Sequence, residues 1–172
     1  MNWIQEIAKL AYIKQVLAEA DQRKLWPHHL PAVAATPAQI EAVEAALGTR
    51  LDRNYAELLL HADGWRGFYQ TVDLFGTADL LGSEKMSAAR ELLGAVDDDV
   101  ISATRNRRND LLPIAATTQD RDLFVLTLPK AEAPGEVLWL AGELIDRFTN
   151  VGEFFLAMMD YNRLEVARFQ KK

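Results

Sequence analysis

Three short apolar runs limit what this chain can fold into: Leu111 to Ile114 with Pro113 inside it, Leu123-Phe124-Val125-Leu126, and Val137-Leu138-Trp139-Leu140. Each is too short for a buried helix. Turn formers bound them, Thr118 to Asp122 after the first and Pro129 to Gly135 after the second. Apolar runs fenced in this way read as strands joined by antiparallel hairpins. Ahead of them, Trp65 to Phe75 is rich in aromatic and β-branched residues and adds a further strand or pair of strands.

Helical patterns enclose this group. Trp3, Ile7, Leu10, Ala11 and Leu17 recur near the helical period from Trp3 to Ala20. Pro27 and Pro31, flanking His28-His29-Leu30, rule out a continuous helix after that. Thr36-Pro37-Ala38-Gln39 then supplies an N-cap hydroxyl, a proline at the first helical position and a capping-box glutamine. Ile40, Val43, Ala46 and Leu47 form the stripe of that helix, and Gly48 is placed to end it in a left-handed conformation. Asp52 opens another helix carrying Tyr55, Leu58, Leu59 and Ala62, stopped by Asp63-Gly64. Ala88 to Val96 reads as a short helix. Asn150, with Glu153 completing a capping box, starts a last one with Val151, Phe154, Phe155 and Met158 on one face. Helices, then strands, then a closing helix describe one α+β unit.

Composition removes whole classes of function. The chain of 172 residues has no cysteine, so disulfides, thiolate nucleophiles and cysteine-based metal sites drop out, in keeping with a reducing compartment. Nineteen Lys and Arg against 25 Asp and Glu give a net charge of −6, which disfavours nucleic acid and favours a protein partner with a basic surface. Glu6 and Lys9 interrupt the apolar pattern of the first ten residues, unlike a secretory signal, and no window reads as a membrane helix; the expected address is the cytoplasm.

The order of certain residues resembles the SUKH superfamily, the group that includes Smi/Knr-type fungal cell-wall regulators. The pattern is carried by Thr36-Pro37, Glu44, Leu47-Gly48, Leu51, Tyr55, Leu58-Leu59 and Asp63-Gly64-Trp65. It continues through Leu74-Phe75, Asp79-Leu80, Leu112-Pro113-Ile114-Ala115, Asp120 to Leu126, Gly135-Glu136-Val137-Leu138 and Glu153-Phe154-Phe155. Asp52 stands where the family usually has proline, though Asp is itself a good N-cap. Residues 1–35 have no counterpart and read as an N-terminal helix with a proline-containing extension packed on a domain spanning 36–172. The resemblance implies a mixed, mainly antiparallel sheet of about five or six strands flanked by helices. It implies a bacterial immunity protein that binds and neutralises a polymorphic toxin, often a nuclease or deaminase, or else a regulatory adaptor like the fungal members. It brings no catalytic centre and no cofactor. Glu44, Gly48, Tyr55, Gly64, Trp65 and Pro113 are then structural motif residues.

Chemistry-bearing residues each have a plainer reading. His28-His29 could offer imidazoles to a metal, but neighbours on an extended segment point apart and no acidic pair lies nearby, so no metal is expected. His61 and Asp63 could form a base and its orienting carboxylate, yet both suit a helix end. Ser83, Ser87 and Ser102 sit in no nucleophile elbow, and no glycine pattern cradles phosphate. Arg105, Arg107 and Arg108 are flanked by acids and read as structural or solvated. Trp65 and Trp139 fit core positions, whereas Trp3 and Trp26 lie outside the resembling unit and suit exposed anchors. Asp97, Asp98, Asp99, Asp120, Asp122, Glu132 and Glu136 all fall in expected turns, free to meet a partner. Asp97 to Asp99, Asp120, Asp122 and Trp26 are accordingly the candidate partner-binding residues.

Overall fold

Gln39 donates its N–H to Thr36 Oγ1 at 3.3 Å, and Gln39 Oε1 accepts the Thr36 N–H at 2.8 Å. This reciprocal cap, with Pro37 next to it, starts α2 (Pro37–Leu47), and Gly48 ends it at φ +67°. In the computed structural model, which describes residues 1–171, α1 (Trp3–Ala20) precedes it. Next comes α3 (Arg53–Leu59), with Asp52 as its N-cap, accepting the Tyr55 N–H at 3.0 Å.

Six strands follow the order β1-β2-β3-β4-β5-β6 and pair antiparallel throughout: β1 (Trp65–Tyr69), β2 (Val72–Leu74), β3 (Leu111–Ala116), β4 (Leu123–Thr127), β5 (Val137–Leu140) and β6 (Leu144–Phe148). Between β2 and β3 the chain makes α4 (Thr77–Leu80), α5 (Glu84–Ala95), α6 (Asp98–Ala103) and a 3-10 turn at Arg108–Asp110. It closes with α7 (Val151–Gln170). Helix α5 starts one turn before the residues whose pattern announced it, because Ser83 Oγ accepts the Met86 N–H at 3.2 Å.

The apolar runs do not alternate because the central strands are covered on both faces. Strand β4 is buried at every position. On one face Phe154 of α7 lies 5.1 Å from Phe124 and 5.7 Å from both Phe68 and Phe148. On the other face, α5 lies beside Ala116 and Leu140. Helix α1 lies outside α7, with the Trp3 ring 5.4 Å from Phe155 and nearly perpendicular to it. Pro113 in the sheet interior is tolerated at a bulge, where the β3–β4 register shifts between Pro113 and Ala115.

The extension from Asp21 to Ala35 sheathes the outer edge of β1. Trp65 Nε1 donates to the His29 carbonyl at 2.8 Å, and the Ala32 N–H donates to the Gly64 carbonyl at 3.0 Å. At Gly67 (φ +63°) a Cβ would come within 2.5 Å of the Pro27 carbonyl oxygen, so only glycine fits. The opposite edge, β6, is exposed and carries Asp146 and Arg147, charges that discourage strand pairing. No helix among the described residues is long and apolar enough to cross a membrane.

Two expectations are corrected here. Asp97, Asp98 and Asp99 do not lie in a turn: Asp97 is the N-cap position of α6, and Asp98 and Asp99 form its first turn. Acidic residues are favoured there by the helix dipole, so a polar triplet that reads as a turn also opens a helix. Trp3 is buried, not an exposed anchor.

Candidate protein-binding surface

In an antiparallel meander alternate connections fall at the same end of the sheet. Here the β1–β2, β3–β4 and β5–β6 turns share one end, and the Thr71 and Thr117 hydroxyls, 2.8 Å apart, tie the first two together. Three aromatic side chains from three elements meet there. Trp139 of β5 lies 6.3 Å from Tyr69 of β1 and 5.7 Å from Tyr161 of α7, both at 81°, and Tyr69 and Tyr161 are 5.8 Å apart. Phe124 stacks on Trp139 from the core side at 5.1 Å. Trp139 and Tyr161 are half-buried, so the cluster is both anchored and accessible.

Two carboxylates border these rings. Asp122 accepts the Trp139 indole N–H at 2.7 Å. Burial pushes the Asp122 carboxyl above its usual value, the Trp139 bond pulls it back, and the Asp120 charge adds to the rise. Glu165 of α7 is buried; its Oε1 accepts Gln70 Nε2 at 3.1 Å, while its Oε2 accepts no hydrogen bond among the described residues and has Arg168 at 3.6 Å. Burial, and then the charges of Glu165 and Asp122, push the Tyr69 phenol up to about 12. The phenol therefore stays protonated and neutral at any physiological pH. Chemically the patch offers aromatic faces, acceptor oxygens and negative charge, which suits a cationic side chain.

The structure brings Asp97, Asp120 and Asp122 to this end of the molecule, with Asp97 lining a cleft of about 320 Å³ together with Arg121 and Gly142 on the α5 side. Asp120 is exposed and accepts the Arg121 N–H at 2.8 Å. Asp99 is exposed, and Asp98 forms a 2.8 Å ion pair with Arg108. Trp26 lies elsewhere, half-buried with its ring 5.3 Å from Phe169 near the end of α7, so it does not project freely. Glu136 pairs with Arg147 at 3.1 Å. No local sequence pattern singles out Tyr69, Tyr161 or Glu165. They come from elements far apart in the chain, and each alone looks like an ordinary core or helix residue.

The remaining candidates serve the scaffold. Glu44 accepts the Leu51 N–H at 3.0 Å and so fixes the α2–α3 turn. Tyr55, fully buried, donates its hydroxyl to the Phe75 carbonyl at 2.8 Å. Asp63 accepts both the N–H and the hydroxyl of Thr77 at 2.6 Å. His61 instead donates from Nδ1 to the Glu57 carbonyl at 2.8 Å, so the two residues form no base and orienter. Gly64 at φ +92° packs against Gly76, where a Cβ would fall 2.8 Å from the Gly76 nitrogen. Arg107 pairs with Asp110 at 2.7 Å, and Arg108 holds the Leu93 and Val96 carbonyls at the end of α5.

These junctions join the residues whose order resembled SUKH proteins: Tyr55 to Phe75, Gly64 to Gly76, and Glu44 to the turn before α3. Among curated proteins nothing matches the chain. The sequence pattern of the SMI1 / KNR4 family (SUKH-1) matches residues 34–157, from the end of the extension before α2 into the first half of α7. Because that span holds the whole sheet, α2 to α6 and the first part of α7, the chain belongs to the SMI1 / KNR4 family, SUKH-1.

Proposed function

We propose that this protein is a cytoplasmic immunity protein that binds and neutralises a cognate bacterial toxin, with the turn end of the sheet as its docking face. Family membership supports an immunity or regulatory role in general, exercised on a protein partner and without catalysis by the protein itself. The observation that carries the finer reading is the Tyr69–Trp139–Tyr161 cluster bordered by Asp122 and Glu165. Tyr and Trp in a fixed, partly desolvated patch are the residue types that dominate binding energy at interfaces. Asp97 and Asp120 at the same end, with the exposed Asp98 and Asp99 at the start of α6, supply a field that attracts a basic surface, such as one built to hold phosphate. Residues 1–35 belong to the same unit in this reading, as a brace on α7 and β1. A nuclease-type toxin is the partner that this charge fits best.

The test is a search of the neighbouring genes for a toxin, followed by co-expression of the protein with it. Wild-type protein should rescue growth, and Trp139→Ala together with Tyr161→Ala should abolish rescue while circular dichroism stays native. Rescue that survives the double change would remove this face from the account. Binding without any protection would favour the regulatory adaptor, the second role the family supports.

A further inference from the structure

The loop after α1 is built around one buried carboxylate. Asp21 has a fully enclosed side chain that accepts the Leu25 N–H at 3.0 Å and the Trp26 N–H at 3.2 Å, and it meets His28 Nε2 at 3.0 Å. Burial alone would raise its pKa, but the Leu25 N–H, His28 and the Trp26 N–H together bring it below the usual value, so it is ionised at neutral pH. The contact with Asp21 also fixes the imidazole. Nε2 is used, and Nδ1 is buried with no partner among the described residues. Two turns back along α1, Lys14 is 3% exposed, and its Nζ likewise finds no acceptor among the described residues.

Lys14 and His28 line the same cleft, of about 330 Å³, whose walls are otherwise mostly apolar, with Ala11, Ala18 and Leu30 among them. An ammonium without a counter-ion is costly to bury, and the described residues supply it none. We propose that this cleft binds a small monocarboxylate with an apolar tail, its carboxylate paired with the Lys14 ammonium and its tail lying against Ala11, Ala18 and Leu30.

Charge selects this ligand class. His28 is already engaged by Asp21, and Lys14 is the cation of this cleft with no acceptor among the described residues, which leaves one positive charge for one negative charge to neutralise. A neutral ligand would leave the ammonium unpaired, and a phosphate dianion would bring more charge than the site offsets. The volume is at the lower end for ligand pockets, which limits the tail to a short one. The site is independent of the docking face proposed above, since it lies between α1 and the extension.

Isothermal titration of the intact protein with hexanoate, and separately with hexanol, tests the assignment. Hexanoate should bind saturably and at least about tenfold more tightly than hexanol, the difference made by its charge-assisted hydrogen bonds. Lys14→Met keeps the length of the stem and should weaken hexanoate by at least about tenfold while leaving hexanol unchanged. In wild-type protein, hexanoate should move the Lys14 side-chain methylene resonances, which a purely structural lysine would not show. Equal affinity for hexanoate and hexanol would overturn the proposal. So would hexanoate binding that survives Lys14→Met, or no heat and no Lys14 shift up to about 50 mM hexanoate, far beyond the millimolar range expected of a weak specific site.

Discussion

Trp139 donates its indole N–H to Asp122 at 2.7 Å, tying the middle of β5 to the end of the β3–β4 turn. The bond spans strands that are already register partners, Phe124 with Trp139 and Leu123 with Leu140, so it adds little to the fold but fixes the ring against Tyr69 and Tyr161. Asp122→Asn keeps an acceptor for the indole and should change stability by less than about 0.5 kcal/mol. Asp122→Ala leaves the indole donor unpaired and should cost about 1 kcal/mol, with a larger rise in the partner's off-rate than Asp122→Asn gives. Urea melts and surface-binding kinetics on the pair check both halves.

Tyr55→Phe should destabilise by about 1–3 kcal/mol, because the buried Phe75 carbonyl loses the hydroxyl that satisfies it and no water can take its place. The phenol has no competing role as an acid, since burial, then the charges of Asp79 and Asp63, push its pKa far up. A denaturation midpoint equal to wild type would mean that this carbonyl finds another donor.

Two glycines should respond in opposite directions. Gly64→Ala forces a side chain onto a backbone at φ +92° and against the Gly76 nitrogen and the Leu74 carbonyl, with no flexible atom to yield. A loss of at least about 3 kcal/mol is expected. Gly94, inside α5 and exposed, would meet nothing within 4 Å, and Gly94→Ala should stabilise by about 0.5–1 kcal/mol. Thermal melts of the two single variants decide the matter.

Lys14 gives stability an alkaline dependence. Burial lowers its pKa to about 8, below the unfolded value, so between about pH 8 and pH 10.5 the unfolded chain binds more protons than the folded one. Stability from this group is therefore diminished at neutral pH and recovers as pH rises through that window, by up to about 3 kcal/mol. Lys14→Met should be more stable than wild type at pH 7, by an amount that shrinks toward pH 10. Urea midpoints measured across that range would show a constant offset if the amine were solvated.

Much of this was legible beforehand because local chemistry decided it. The Thr36–Gln39 cap, Gly48 at positive φ and the hairpin runs of β3, β4 and β5 stand where their residue types demand. Lys14 was legible too in principle, since it falls in phase with Leu10 and Leu17 on the buried side of α1. A lysine there reads as an interruption, and only tertiary packing shows that its amine is enclosed. The aromatic cluster was not legible, because Tyr69, Trp139 and Tyr161 meet through a register and a helix placement that no local pattern encodes. The Asp97–Asp99 triplet reads as a turn although it opens α6, because an N-cap and a turn draw on the same residues.

The acidic rim separates two ways of holding a partner. Asp97, Asp98 and Asp99 are exposed at the start of α6, and the protein's net charge is −6, so a basic partner should be drawn in before any contact forms. The on-rate should then fall as ionic strength passes about 0.15 M, where the Debye length is about 8 Å. Changing all three to Asn should lower the on-rate and flatten its salt dependence. The fold should survive, because Arg108 keeps the Leu93 and Val96 carbonyls when its ion pair with Asp98 is lost. Trp139→Ala should act on the other rate constant, since an aromatic anchor contributes after docking and its loss appears as faster dissociation. Stopped-flow association at two salt concentrations, with wild type, the triple variant and Trp139→Ala, resolves the two contributions. An on-rate indifferent to salt in every protein would eliminate steering by these acids, and an unchanged off-rate in Trp139→Ala would move the docking face away from the turn end of the sheet.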